Sequence, residues 1–96
     1  MATREEVYEA FNSERDYQED LWDEAPRTTD EFALYVNEYA ARLQSHCTDP
    51  RVRERTGETE LDFFRKVGAL CVAAMEQHGA PKRRSPDYAG VMEQNL

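Results

Sequence analysis

Arg65 and Lys66 stand side by side immediately before Val67–Met75, a run of nine residues without a charge. Cations on the shoulder of an apolar segment can hold a small anion, the guanidinium through forked hydrogen bonds and the ammonium as a point charge. Other chemistries lack their residues. No Ser/His/Asp set, Gly-rich phosphate loop or nucleophilic cysteine signature is present. His46 and Cys47 are adjacent, and Cys71 and His78 are seven apart, so no zinc set is expected. Both cysteines read as reduced core thiols of a cytoplasmic protein. His78, at the end of a helical pattern, is either a partner for the helix dipole or a general base, the former being the simpler reading.

Ninety-six residues make one small domain, and a chain of this size gains from a partner subunit, so a dimer or larger homo-oligomer is expected. The net charge of −8 is unevenly placed. Residues 1–31 hold eleven acids against Arg4, Arg15 and Arg27, and the remainder is balanced. No net basic field exists to release counterions, which argues against nucleic-acid binding. There is no 18-residue apolar run, so no membrane span is expected, and the charged start MATREEVYEA does not read as a signal peptide.

The elements that must position these groups are helices. Thr3 and Glu6 form a capping box that opens the first, with Val7, Tyr8, Phe11, Tyr17, Leu21 and Trp22 along its apolar side and Pro26 closing it. Thr28 and Glu31 open the second, whose stripe is Phe32, Val36, Tyr39, Ala40, Leu43 and Cys47. TDPRVRERTGET has no period and reads as a polar loop, whose three arginines are either a solvated patch or a cover over a bound anion. The third helix runs from Thr59 to His78, with Gly79 as a left-handed terminator and Pro81 beyond it. Its uncharged centre makes it the central helix, and Gly68 within it implies close approach by a neighbour. In the tail, Ser85 and Pro86 can start a short fourth helix with Tyr88, Val91 and Met92 on its apolar side. The fold class is therefore all-α: a small bundle of three long helices over residues 1–79, then a basic linker and short helix over 80–96.

Three segments carry a resemblance. SERDYQEDLW, DEFALYVNEYAARL and LDFFRKVGALCVAAMEQHG together resemble MazG-like phage proteins over roughly residues 13–79. The resemblance implies an all-α, oligomeric nucleoside triphosphate pyrophosphohydrolase using magnesium held by four carboxylates, two on each of two facing helices. Residues three apart share a helix face, so two such pairs offer oxygen ligands to hard cations bridging phosphates. Carried over, Glu38 matches one acid, while Ala41, Phe63 and Lys66 occupy the other three positions. A lysine about 4 Å from a divalent ion is repelled by about 8 kcal/mol at an effective dielectric of about 20. The expectation is thus a binder of nucleotide rather than an enzyme, with no cofactor and no metal. Arg42, Arg65 and Lys66 are its candidate phosphate contacts, with Glu38 beside them. Tyr17, Trp22, Tyr35 and Tyr39 are its candidate stacking surfaces, and Arg83 in PKRRSP is a candidate clamp.

Each has a simpler reading alongside: Arg65 and Lys66 paired with Asp62 or the acidic first helix, Trp22 and Tyr39 as core, Arg83 as solvated linker. By analogy with phage sponge proteins, such a binder would sequester a host signalling nucleotide. The alternatives are a magnesium-dependent pyrophosphohydrolase using Glu38, Asp62 and Glu60, and an acidic protein-binding inhibitor or DNA mimic presenting the first helix.

Overall fold

The computed structural model describes residues 1–84, and the expected helix at Ser85–Met92 lies outside them. The described chain is all-helical: α1 (Arg4–Leu21), α2 (Thr29–Thr48), α3 (Pro50–Thr56) and α4 (Glu60–His78). The three long helices open in the same way. Thr3, Thr28 and Thr59 are each N-caps in extended backbone, and each forms a reciprocal capping box with the residue three further on, Glu6, Glu31 and Asp62. Each box satisfies two backbone donors that helix geometry leaves open and places a carboxylate at the positive end of the dipole.

Two boundaries differ from the sequence reading. α1 ends at Leu21 with Trp22 as its cap, several residues before Pro26. Residues 23–28 then connect to α2 without regular structure, tied to the end of α4: the Arg27 N–H donates to Gln77 Oε1 at 2.9 Å, and His78 Nε2 meets the Arg27 carbonyl oxygen at 2.7 Å. His78 is thus a clamp on the α1–α2 connection, stacked edge-on against Phe32. The second difference is α3, inside the segment expected to be a loop. Asp49 caps it, Pro50 takes its first turn, and Gly57 closes it in the left-handed region at φ 68°. The same Pro and Gly that punctuate a loop are the start and stop of a two-turn helix.

α4 is the middle of the molecule, with α1 and α2 packed on it and no close backbone approach between those two. Phe63, Ala69, Leu70 and Ala73 of α4 and Phe32 of α2 form the buried apolar core. Each large member contributes about 1.5–3 kcal/mol. Gly68 admits α1: a Cβ there would lie 2.4 Å from the Phe11 ring.

The stripes on α1 and α2 are corrected by the packing. On α1 the inward residues are Phe11, Glu14, Arg15 and Gln18, while Tyr17 and Leu21 stay 60% and 65% exposed. Polar links dominate that contact: Arg15–Glu76 at 2.7 Å, Arg65–Glu14 at 2.7 Å, and Gln18 toward the Lys66 carbonyl oxygen. On α2 the buried residues are Phe32 and His46, whereas Ala40 and Cys47 face outward. Both cysteines are free and exposed, not core thiols. His46, one position from Cys47, takes the inward place because the stripe steps three residues beyond Leu43 rather than four, while Phe32, Val36, Tyr39 and Leu43 keep the expected inward face.

Candidate ligand-binding cleft

Two adjoining clefts open along α2. The first, of about 280 Å³, is lined by Trp22, Arg27, Tyr35, Glu38, Tyr39, Arg42 and Leu70. The second, of about 410 Å³, shares Tyr39 and Arg42 with it and continues to Arg55, Glu58, Phe63 and Lys66. The two together carry four cations, Arg27, Arg42, Arg55 and Lys66, against two carboxylates, Glu38 and Glu58. The lining is thus richer in cations than in carboxylates on a chain of net charge −8, with Arg27 paired to Asp23 at 3.6 Å, Arg42 to Glu38 and Lys66 to Glu58.

Its parts come from every element. α1 ends so that Trp22 projects over the start of α2, its ring 6.3 Å from those of Phe32 and Tyr35. Arg27, in the connection, lies with its guanidinium 4.6 Å from the Trp22 ring centre and 3.3 Å from the Tyr35 hydroxyl through Nε. A cation over an aromatic face is drawn by the ring quadrupole. α2 supplies Tyr35, Glu38, Tyr39 and Arg42 at helical spacing. Arg42 donates to Glu38 at 2.6 Å and sits 5.2 Å from the Tyr39 ring centre. α3 adds Arg55, and α4 adds Phe63 and Lys66.

Lys66 is not bare. Its ammonium donates to Glu58 Oε2 at 2.6 Å and lies 5.7 Å from the Phe63 ring centre. Arg65 turns to the other side of α4 and lines neither cleft. It donates to Glu14 at 2.7 Å and to Asp62 at 2.8 Å, bonds that raise its pKa. The Thr59 backbone bond and then the Arg65 bond hold Asp62 down at about 2.

Of the residues singled out from sequence, the fold gathers Trp22, Tyr35, Glu38, Tyr39, Arg42 and Lys66. It does not bring Tyr17, Arg65 or Arg83 to them; Tyr17 faces outward on α1, and Arg83 is exposed beyond the end of α4. Sequence reasoning missed Arg27 and Glu58 as cleft residues, and offered Arg55 only as one of three arginines of a loop. Arg27 sits in a connection and Arg55 in a segment read as loop, so neither belongs to a periodic face. Their only sequence signal was charge.

The positions where the resemblance called for carboxylates are occupied by Phe63 and Lys66 on the α4 wall, opposite Arg42. Among the described residues, Glu38, Asp62 and Glu60 do not form a group able to share one ion. Glu38 is engaged with Arg42, Asp62 with Thr59 and Arg65, and Glu60 with Arg53. No described helix is long and apolar enough to cross a membrane. Comparison with protein-family models, with curated proteins and with solved structures finds no match to this chain.

Proposed function

We propose that this protein binds a small phosphorylated ligand of nucleotide type in the α2–α4 cleft without hydrolysing it. Held in excess, such a binder would sequester a signalling nucleotide, the role that the resemblance to MazG-like phage proteins makes most natural. The observation that carries the reading is the cleft composition: four cations and four aromatic rings, Trp22, Tyr35, Tyr39 and Phe63, on a strongly acidic molecule. Phosphate oxygens suit forked arginine donors, and a base or ribose face suits the rings. Glu38 and Glu58 act as internal counterions that an incoming phosphate replaces. The sequence-based expectation of a homo-oligomer belongs to the same proposal; Leu34, Leu61, Phe64 and Met75 are the large apolar side chains exposed outside the cleft on α2 and α4.

Trp22 is the one tryptophan in the chain, so its fluorescence reports the cleft directly. Titration with nucleoside mono-, di- and triphosphates and pyrophosphate, alongside mass spectrometry of small molecules released from the denatured protein, tests the reading. Saturable binding weakened ten- to a hundredfold by Arg42→Ala or Lys66→Ala is expected, the loss of one charge-assisted hydrogen bond of about 1.5–3 kcal/mol. Neither co-purified nor added nucleotide binding at millimolar concentration would sink it. Pyrophosphate release from a triphosphate with Mg²⁺ or Mn²⁺ would replace it with the hydrolase reading.

A second reading rests on the outer side of α1. Glu5, Glu6, Glu9, Asp16, Glu19 and Asp20 are exposed there, interleaved with Tyr8, Tyr17 and Leu21 at 58%, 60% and 65% exposure. An acidic surface with apolar anchors would suit a basic protein partner, with strongly salt-dependent capture. Pull-down of such a partner that survives neutralising Asp16, Glu19, Asp20 and Asp23 counts against it.

A further inference from the structure

His46 is fully buried, at 0% exposure, yet one of its two ring nitrogens has no hydrogen-bond partner among the described residues. Nε2 faces the Glu58 carbonyl oxygen. A carbonyl only accepts, so Nε2 carries the proton and donates. In the neutral ring this leaves Nδ1 as a bare lone pair. Buried acceptors are nearly always satisfied, and this one is not.

The lone pair is not surrounded by apolar groups alone. Glu60 Oε1 lies 4.0 Å from Nδ1, beyond hydrogen-bond range, and Cys47 Sγ lies 3.7 Å from the same oxygen. The three ligand atoms are all within 4.8 Å of one another. In a tetrahedral site with bonds of about 2.0–2.3 Å, neighbouring ligand atoms stand about 3.3–3.8 Å apart. The cluster is therefore close to, and slightly wider than, the spacing that a four-coordinate ion imposes.

The geometry points to a zinc-class divalent cation site made by His46 Nδ1, Cys47 Sγ and Glu60, at the junction of α2 with α4. Its donor set is one imidazole, one thiolate and one carboxylate. Thiolate and imidazole together select Zn²⁺ or Co²⁺ over Mg²⁺ and Ca²⁺. One thiolate and one carboxylate balance the ion's two charges. The His46–Glu58 bond is the outer support that such sites use to hold the tautomer and the ring direction. Three protein ligands leave a fourth position open to water.

The chain reaches this arrangement through α3. Asp49 and Gly57 cap α3 at its two ends, and the turn through Thr59 returns Glu60 to the end of α2. The buried ring comes from the inward face of α2, and the exposed Cys47 and the 42%-exposed Glu60 side chain leave the ion a way in. Arg53 is the opposing element. Its guanidinium is 3.1 Å from Glu60 Oε1, and at 53% exposure it can swing into solvent when an ion arrives.

Metal-free protein titrated with Co²⁺, read by its thiolate charge-transfer and ligand-field bands, tests the site, with competition by Zn²⁺ giving the affinity. One equivalent per chain with a thiolate band is expected. Cys47→Ser abolishes that band and weakens Zn²⁺ binding at least tenfold, and Glu60→Gln also weakens it. Cys71→Ser leaves both unchanged, and Arg53→Ala tightens binding several-fold. Both ligand variants alter exposed or half-exposed side chains, so far-UV circular dichroism should match wild type. The proposal is overturned by the absence of saturable Co²⁺ binding, by a thiolate band that survives Cys47→Ser, or by one lost in Cys71→Ser. This site is separate from the nucleotide reading, since none of its three residues lines either cleft.

Discussion

Gly68→Ala is the sharpest probe of how α1 is seated. In an open helix this change stabilises by about 1 kcal/mol, because glycine loses more backbone freedom on folding. Here the new methyl would stand 2.4, 2.6 and 2.7 Å from Cε1, Cζ and Cδ1 of Phe11. Ordinary carbon contacts begin at about 3.5 Å, so the ring or the whole of α1 must retreat by roughly 1 Å. Overpacking of this kind costs about 1–3 kcal/mol. The net effect is a loss of about 0–2 kcal/mol, opposite in sign to the propensity gain.

The quantity that isolates the contact is the coupling in a double-mutant cycle with Phe11→Ala. Removing the ring removes the collision, so Gly68→Ala in that background should stabilise by about 1 kcal/mol. The propensity term cancels and the coupling is the collision itself, about 1–3 kcal/mol. Urea denaturation followed by far-UV circular dichroism measures all four corners. In thermal melts each kcal/mol appears as about 4–8 °C at this chain length. A coupling below about 0.5 kcal/mol, or a full stabilisation by Gly68→Ala in the wild-type background, would show that Phe11 does not lie on Gly68.

Three further outcomes follow from the ion pairs. Asp62 is held at about 2 against an ordinary value of 3.8, so the folded chain keeps this charge after the unfolded chain has taken up a proton. Its contribution is complete above pH 3.8 and fades as pH falls toward 2; in Asp62→Asn the loss of urea stability across that window should be visibly shallower than in wild type. Arg65→Ala strands Glu14, whose side chain is 11% exposed, and should cost about 1–3 kcal/mol of stability while leaving ligand affinity unchanged. An affinity loss matching that of Lys66→Ala would place Arg65 in the cleft after all. Glu58→Gln releases Lys66 from its 2.6 Å partner and should tighten pyrophosphate binding about two- to fivefold, the worth of a half-exposed pair, in a calorimetric titration. Unchanged or weaker binding would separate Lys66 from the anion site.

Much of this molecule was legible in the chain because the relevant physics is local. Thr3-Glu6, Thr28-Glu31 and the start at Thr59 mark helix entries by side chains bonding to backbone within three residues. The uncharged run Val67–Met75 had to be the most enclosed helix, since solvation leaves it no outward polar face, and α4 is the helix the other two pack on. Gly68 announced a close neighbour but not which one; Phe11 was decided by the α1–α4 packing. What sequence alone left undetermined is the rotation of each helix about its axis. A polar seam of Glu14, Arg15 and Gln18 docks α1, because long-range partners on α4 satisfy it, and this turns Tyr17 outward. On α2 a step of three residues beyond Leu43, where the expected stripe took four, puts His46 and not Cys47 at the interior. The same tertiary choice sends Arg65 to α1 and Lys66 to the cleft, although the two are adjacent in the chain. It also draws Arg27, Arg55 and Glu58 from connecting segments into one surface, a gathering that no local spacing encodes.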